Sequence, residues 1–214
     1  MAGFTTERLL LCPYTEADLD DLTSLCGNPL VWPLVLHDEV SPRSPKFRER
    51  LRLSMERAVF AAIIRLKSTG EFMGQAMVTV TDTKHFLEGS FAICLLPKFW
   101  NNGYGTEATH YMVDYSFRWF DLQRISLTVL SSNLRAIAVY QKIGFRIEGR
   151  KRRFWWMSGR WDDIFLMGIL YEEWAARELQ WTFGADAIHH HVHPCSLCSP
   201  VFQPHYCLYS EYLH

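Results

Sequence analysis

The order of apolar and polar positions predicts a chain of short strands interleaved with amphipathic helices. Leu9, Leu10, Leu11 and Cys12 predict a strand that Pro13 ends, and Thr15 with Asp18 three residues on reads as a capped helix start running to about Leu25. Gly27-Asn28-Pro29 stops that helix, and residues 32–45, with three prolines, read as a loop. Phe47, Leu51 and Met55 give residues 46–57 a helical stripe. Strands follow at about 59–66 and 72–81, joined by Lys67-Ser68-Thr69-Gly70, and a third at about 89–96. The next helix is predicted to bury Ala108, Tyr111, Met112, Tyr115 and Trp119. Residues 125–130 alternate as a strand, Asn133 caps a helix through Ile143, and Gly144 suits its C-terminal end. Two strands at about 145–157 and 161–170 meet at Ser158-Gly159, and residues 171–179 form a last helix. This alternation predicts a single α/β domain on a mixed sheet, strand-rich at both ends. From about Trp181 the pattern breaks into Gly, Pro, His, Ser and Cys, so residues 181–214 read as an irregular tail.

Composition narrows the class of function. With 214 residues, 49% of them hydrophobic, the chain can bury one real core. A net charge of −1 supplies no global field for nucleic acid or anionic lipid. Apolar runs such as residues 59–64 are too short to span a bilayer, and Met1 to Arg8 lacks the basic and apolar blocks of a secretory leader. Scattered Cys12, Cys26 and Cys94 suit a reduced, cytoplasmic protein.

One segment concentrates candidate chemistry. Pro97-Lys98-Phe99-Trp100-Asn101-Asn102-Gly103-Tyr104-Gly105-Thr106-Glu107 joins a predicted strand to a helix start. Unpaired N–H groups of a first helical turn, reached through glycines, bind phosphate without charged side chains. A Walker loop needs a Lys after its second glycine, and none follows Gly105. Gly103-x-Gly105-x-x-Ala108 formally matches a dinucleotide fingerprint but lacks a βαβ repeat around it. A compact pyrophosphate cradle for acetyl-coenzyme A remains.

Residues Pro97 to Ala108 resemble the coenzyme A loop of the GCN5-related N-acetyltransferases (GNAT superfamily), closest to the branch of ribosomal-protein alanine N-acetyltransferases. A second block, Asn133 through Tyr140 to Lys142-Ile143-Gly144-Phe145, resembles that family's later motif. The opening Thr6-Glu7-Arg8-Leu9 and the closing Asp162-Asp163 also match the branch, so the resemblance covers roughly residues 5–177. It implies a GNAT-type, mainly antiparallel central sheet flanked by helices. It also implies an acetyl-CoA-dependent N-acetyltransferase with no metal, acting on a primary amine as monomer or homodimer. The implied cofactor contacts are the Leu95 backbone, Trp100 and the Asn101, Asn102, Gly103, Tyr104, Gly105 and Thr106 turn, with Asn133 on the cofactor arm. Tyr140 would protonate the departing thiolate.

Alternatives stand beside each role. Asn133 reads equally as a plain N-cap, and Tyr140 as an amphipathic helix residue at a wet edge. Where many relatives carry Glu, this chain has Ser90. Glu88, two residues earlier on the same strand face, is one candidate base, and Asp163 is another. Lys151 to Trp156 mixes cations and aromatics as single-strand nucleic-acid sites do, but also reads as an exposed strand face. Cys94 reads as core. The tail's Cys195-x-x-Cys198 with nearby His suggests zinc or merely an irregular extension. The competing function is a non-catalytic acyl-CoA-binding or protein-interaction module on the same fold.

Overall fold

The computed structural model describes residues 3–35, 45–80, 87–157 and 159–184. Its elements in chain order are β1 (Phe4–Thr5), β2 (Leu9–Cys12), α1 (Leu19–Cys26), α2 (Trp32–Val35), α3 (Pro45–Arg57), β3 (Phe60–Leu66), β4 (Phe72–Val80) and β5 (Glu88–Leu95). There follow α4 (Tyr104–Trp119), β6 (Arg124–Leu130), α5 (Leu134–Ile143), β7 (Arg146–Met157), β8 (Arg160–Leu170) and α6 (Tyr171–Gly184). The strands form one sheet in the order β1-β2-β3-β4-β5-β6-β8-β7. Every neighbouring pair is antiparallel except β5 and β6. This is the mixed, mainly antiparallel sheet with flanking helices that the sequence predicts.

Both faces of the sheet are covered where the strands are most apolar. Leu22 and Leu25 of α1 and Met55 of α3 pack on Ile63, Phe72 and Met77. On the other face Ala108, Met112 and Val113 of α4 pack on Ile64, Met73, Val78 and Ile125. Two-sided cover explains why β4 is buried at nearly every position instead of alternating. The Thr15–Asp18 cap forms as predicted: the Asp18 carboxylate accepts from the Thr15 N–H (2.9 Å) and hydroxyl (2.7 Å).

Three expectations are corrected. First, α4 buries Ala108, Thr109, Met112, Val113, Ser116 and Phe117. Tyr111 and Tyr115 sit half-buried at the border and Trp119 is 69% exposed. Small Ala108 and Ser116 let the helix approach the sheet, and burial at its border pushes the Tyr111 phenol up to about 12. The rings instead build a lateral cluster, with Tyr115 at 4.8 Å from Phe4 and 4.7 Å from Phe60. Second, the predicted loop at 32–45 begins with a helical turn, α2; its residues 36–44 lie outside the described residues. Third, α6 continues through Trp181 to Gly184, its Trp174 stacked on Phe117 at 5.3 Å. The Cys/His segment lies outside the described residues, and no metal-binding group is found among the described ones. Among these residues no helix is long and apolar enough to cross a membrane.

Candidate active site

The parallel contact of β5 with β6 is brief. It covers Glu88, Gly89 and Ser90 against Arg124, Ile125 and Ser126, after which the strands separate. The Leu96 N–H donates to the Met73 carbonyl (2.8 Å). Antiparallel alternation therefore turns the backbone groups of Ile93 and Leu95 away from β4 and toward the gap. The gap is a cleft of about 560 Å³. Residues 90–95 and 128–130 form its walls, the glycine turn one end, and α5 one side.

The glycine turn is built by backbone conformation. A single helical turn at Pro97–Phe99 buries Phe99 and leads to Trp100, whose indole N–H donates to the Leu95 carbonyl at 2.8 Å. Asn101 (φ 62°) and Gly103 (φ 79°) are left-handed, which reverses the chain so that α4 starts beside β5. Gly103 takes that conformation without strain because it lacks a Cβ. The first turn of α4 then presents N–H groups and the positive end of the helix dipole to the cleft. Trp100, Asn101, Gly103, Gly105 and Thr106 line it. Buried Thr109, one turn on, also lines the cleft, and its Oγ1 has no hydrogen-bond partner in the structure. The site thus offers donors to a phosphate and, apart from the Leu95 carbonyl that Trp100 engages, a stretch of β5 with no strand paired on that side to an extended, amide-bearing arm. The residues present fit coenzyme A.

Helix α5 supplies the opposite wall. The Asn133 carbonyl oxygen Oδ1 accepts from the Ala136 N–H at 3.3 Å, so Asn133 is an N-cap, and it also lines the cleft. Tyr140, two turns later, lines the cleft while only 7% exposed. Its ring meets Phe91 at 6.3 Å and Phe145 at 5.8 Å, both edge-on. Burial, reinforced by the neighbouring Cys94 thiol, pushes the phenol well above its ordinary 10.0. Tyr140 is therefore a protonated donor at neutral pH. Cys94 is core as predicted, its own thiol driven well up by burial.

Other predicted site residues lie elsewhere. Asn102 and Tyr104 belong to the turn but are outside the cleft lining: Asn102 Nδ2 donates to the Trp100 carbonyl (2.9 Å), and the Tyr104 ring packs on Phe99 (6.1 Å). Neither candidate base reaches the cleft. Glu88 pairs with Arg124 (3.1 Å), which also binds Glu148. Asp163 accepts from the Arg153 N–H (2.6 Å) and from Arg150 (2.6 Å), which hold its carboxyl below the usual range. Its neighbour Asp162 accepts from the hydroxyls of Ser131 (2.6 Å) and Ser132, fastening β8 to the turn that starts α5. Lys151 to Phe154 is exposed around a bulge in β7, with Arg153 left-handed (φ 49°).

One residue was missed. Arg135 lines the cleft with its guanidinium 3.9 Å from the Trp100 ring centre, and among the described lining residues it is the one charged side chain. The signal was available: a cation in the first turn of a helix opposes the dipole, which a bound anion would justify.

The profile described as an acetyltransferase (GNAT) domain matches residues 8–146. The chain belongs to the GNAT acetyltransferase family. Several curated relatives that it matches are covered over only 40–55% of their own length. The uncharacterized N-acetyltransferase p20 of Bacillus licheniformis is 26% identical over 82% of this chain and 99% of its own. Spermidine N-acetyltransferase from Vibrio cholerae, solved with CoA and spermine, shares the fold with a TM-score of 0.68 and 22% identity over 79% of this chain and 99% of that one. Ribosomal-protein-S5-alanine acetyltransferase from Vibrio fischeri does so with a TM-score of 0.65 and 19% identity, over 81% and 99%. The shared fold therefore does not separate polyamine from protein acceptors. Within this GNAT chain, Arg135→Ala is expected to raise KM for acetyl-CoA about tenfold with kcat little changed, read from initial rates at varied acetyl-CoA.

Proposed function

We propose that this GNAT enzyme transfers the acetyl group of acetyl-CoA to a primary amine by direct attack in a ternary complex. The observation that carries the reading is buried Tyr140 lining a cleft whose other end is the glycine turn. In it the pyrophosphate sits on the N–H groups of residues 101–106, with Arg135 adding charge. The pantetheine arm lies along the free edge of β5, and Asn133 contacts that arm. The Leu95 N–H polarises the thioester carbonyl.

The amine lone pair forms the new C–N bond and the C–S bond breaks. The departing thiolate takes the Tyr140 proton, and the acceptor nitrogen loses its own. Glu88 and Asp163 are engaged elsewhere, so that proton leaves through water beside the Ser90 and Thr128 hydroxyls, which line the cleft. The phenolate is reprotonated from solvent. Use of acetyl-CoA and the free thiols of Cys12, Cys26 and Cys94 support a cytoplasmic setting.

The acceptor we favour is a protein N-terminus, because the turn and the flanking motifs resemble the ribosomal-protein alanine branch. An acetyl-CoA screen pairing short alanine- or serine-initiated peptides with spermidine and free amino acids tests this by thiol release. Peptide turnover above that of the small amines is expected. A preference for spermidine would reassign the branch, and CoA binding without turnover on any acceptor would favour the non-catalytic alternative.

A further inference from the structure

The coenzyme turn is held from behind by residues that do not line the cleft. Glu107 lies in the first turn of α4, 99 residues from Arg8, which stands just before β2. Its Oε1 accepts from the Thr6 hydroxyl (2.6 Å) and the Arg8 N–H (2.9 Å), and its Oε2 from Arg8 Nε (2.7 Å). The same guanidinium donates through Nη1 to the Asn102 carbonyl (3.0 Å) and lies 4.5 Å from the Tyr104 ring centre. A methyl group placed on Gly103 would meet Arg8 Nη2 at 3.3 Å. Burial alone would raise the Glu107 carboxyl, but the hydrogen bonds from Thr6 and Arg8 outweigh it and hold the group ionised.

One cation and one carboxylate therefore touch Asn102, Gly103, Tyr104 and the start of α4. We infer that Arg8 and Glu107 are positioning residues for coenzyme binding, making the N-terminal β1–β2 hairpin a working part of the donor site. The physical case rests on what the turn must do. Its donors act only if they converge on one point before the ligand arrives, and left-handed residues such as Asn101 (φ 62°) do not hold that shape alone. Arg8 fixes the turn at Asn102 while Glu107 fixes the helix on which it opens. Each holds the other in place through charge-assisted bonds. Exposed ion pairs contribute little to stability. This pair acts on the geometry of the N–H groups, so its effect belongs in affinity.

The inference rests on the reading of the turn as the coenzyme A site, and the test keeps the two apart. Titration calorimetry with CoA is run on the wild type, Glu107→Gln, Arg8→Lys and the double variant, with thermal melts alongside. Wild-type binding is the control: without it the site reading itself fails. Both single variants are expected to bind CoA about tenfold more weakly at nearly unchanged Tm. The double variant is expected to be no weaker than the worse single one, because the two act as a unit. Wild-type affinity in either variant, or effects that multiply in the double, would overturn the proposal. If Glu107→Gln fails to fold, Arg8→Lys decides, since it keeps the charge but loses the forked contacts.

Discussion

Tyr140→Phe is expected to lower kcat by about 10²–10⁴-fold, the range for loss of a positioned general acid. The ring is buried between Phe91 and Phe145, and Phe keeps those edge-on contacts. Fold and CoA affinity should therefore survive, and the loss should fall on kcat rather than on KM for acetyl-CoA. Thiol release under chemistry-limited conditions measures it, and full turnover in the variant would remove Tyr140 from the mechanism. The pH profile adds a signed expectation. Burial raises the phenol above 10.0, so its proton is present throughout the neutral range and is lost only above that value. Wild-type kcat should rise as the acceptor amine deprotonates, with no descending limb from Tyr140 below pH 10.

The second large effect is one of shape. Gly74→Ala is expected to cost about 3 kcal/mol or more, a fall in Tm of roughly 6–12 °C for a domain of this size. Gly74 pairs with Leu95 across β4 and β5. An added Cβ would stand 2.0 Å from the Cys94 carbonyl oxygen and 2.9 Å from Leu95 Cα. Both are backbone atoms, so no side chain can swing aside. Strand β5 itself must move, carrying the Leu95 N–H with it, and CoA affinity should fall together with Tm. A variant that melts like the wild type and binds CoA equally would contradict this.

Legibility in the sequence followed the range of the interactions. Gly103, Asn133 and Gly144 act through the conformation of their own few residues, so the turn, the cap and the helix end could be located from spacing. Tyr140 could be placed on the face of Asn133 because both lie within two helical turns. Glu88 shows where such reasoning stops. Strand alternation gives its face correctly, but its engagement by Arg124 arises only when β6 docks beside β5. The buried face of α4 failed for a related reason. Two adjacent stripes were apolar enough, and only contact with Phe4 and Phe60 decides which one becomes the lateral cluster. Arg8 and Glu107, far apart in the chain, left no local signal of their contact at all.

The short pairing of β5 with β6 has a consequence for how such an enzyme can diversify. A gap produced by diverging strands has a width set by the twist of the sheet, and every neighbouring strand resists a change in that twist. Side-chain substitution can decorate this gap but cannot easily widen or close it. Under the proposed function the thioester lies between these two strands, whose spacing their paired neighbours restrain. Segments outside the sheet also reach the cleft, through half-buried Leu34 of α2 and through Val31, which is buried with the α1 and α3 core. On the proposed reading, substitutions outside the sheet therefore leave the strand spacing around the donor unchanged.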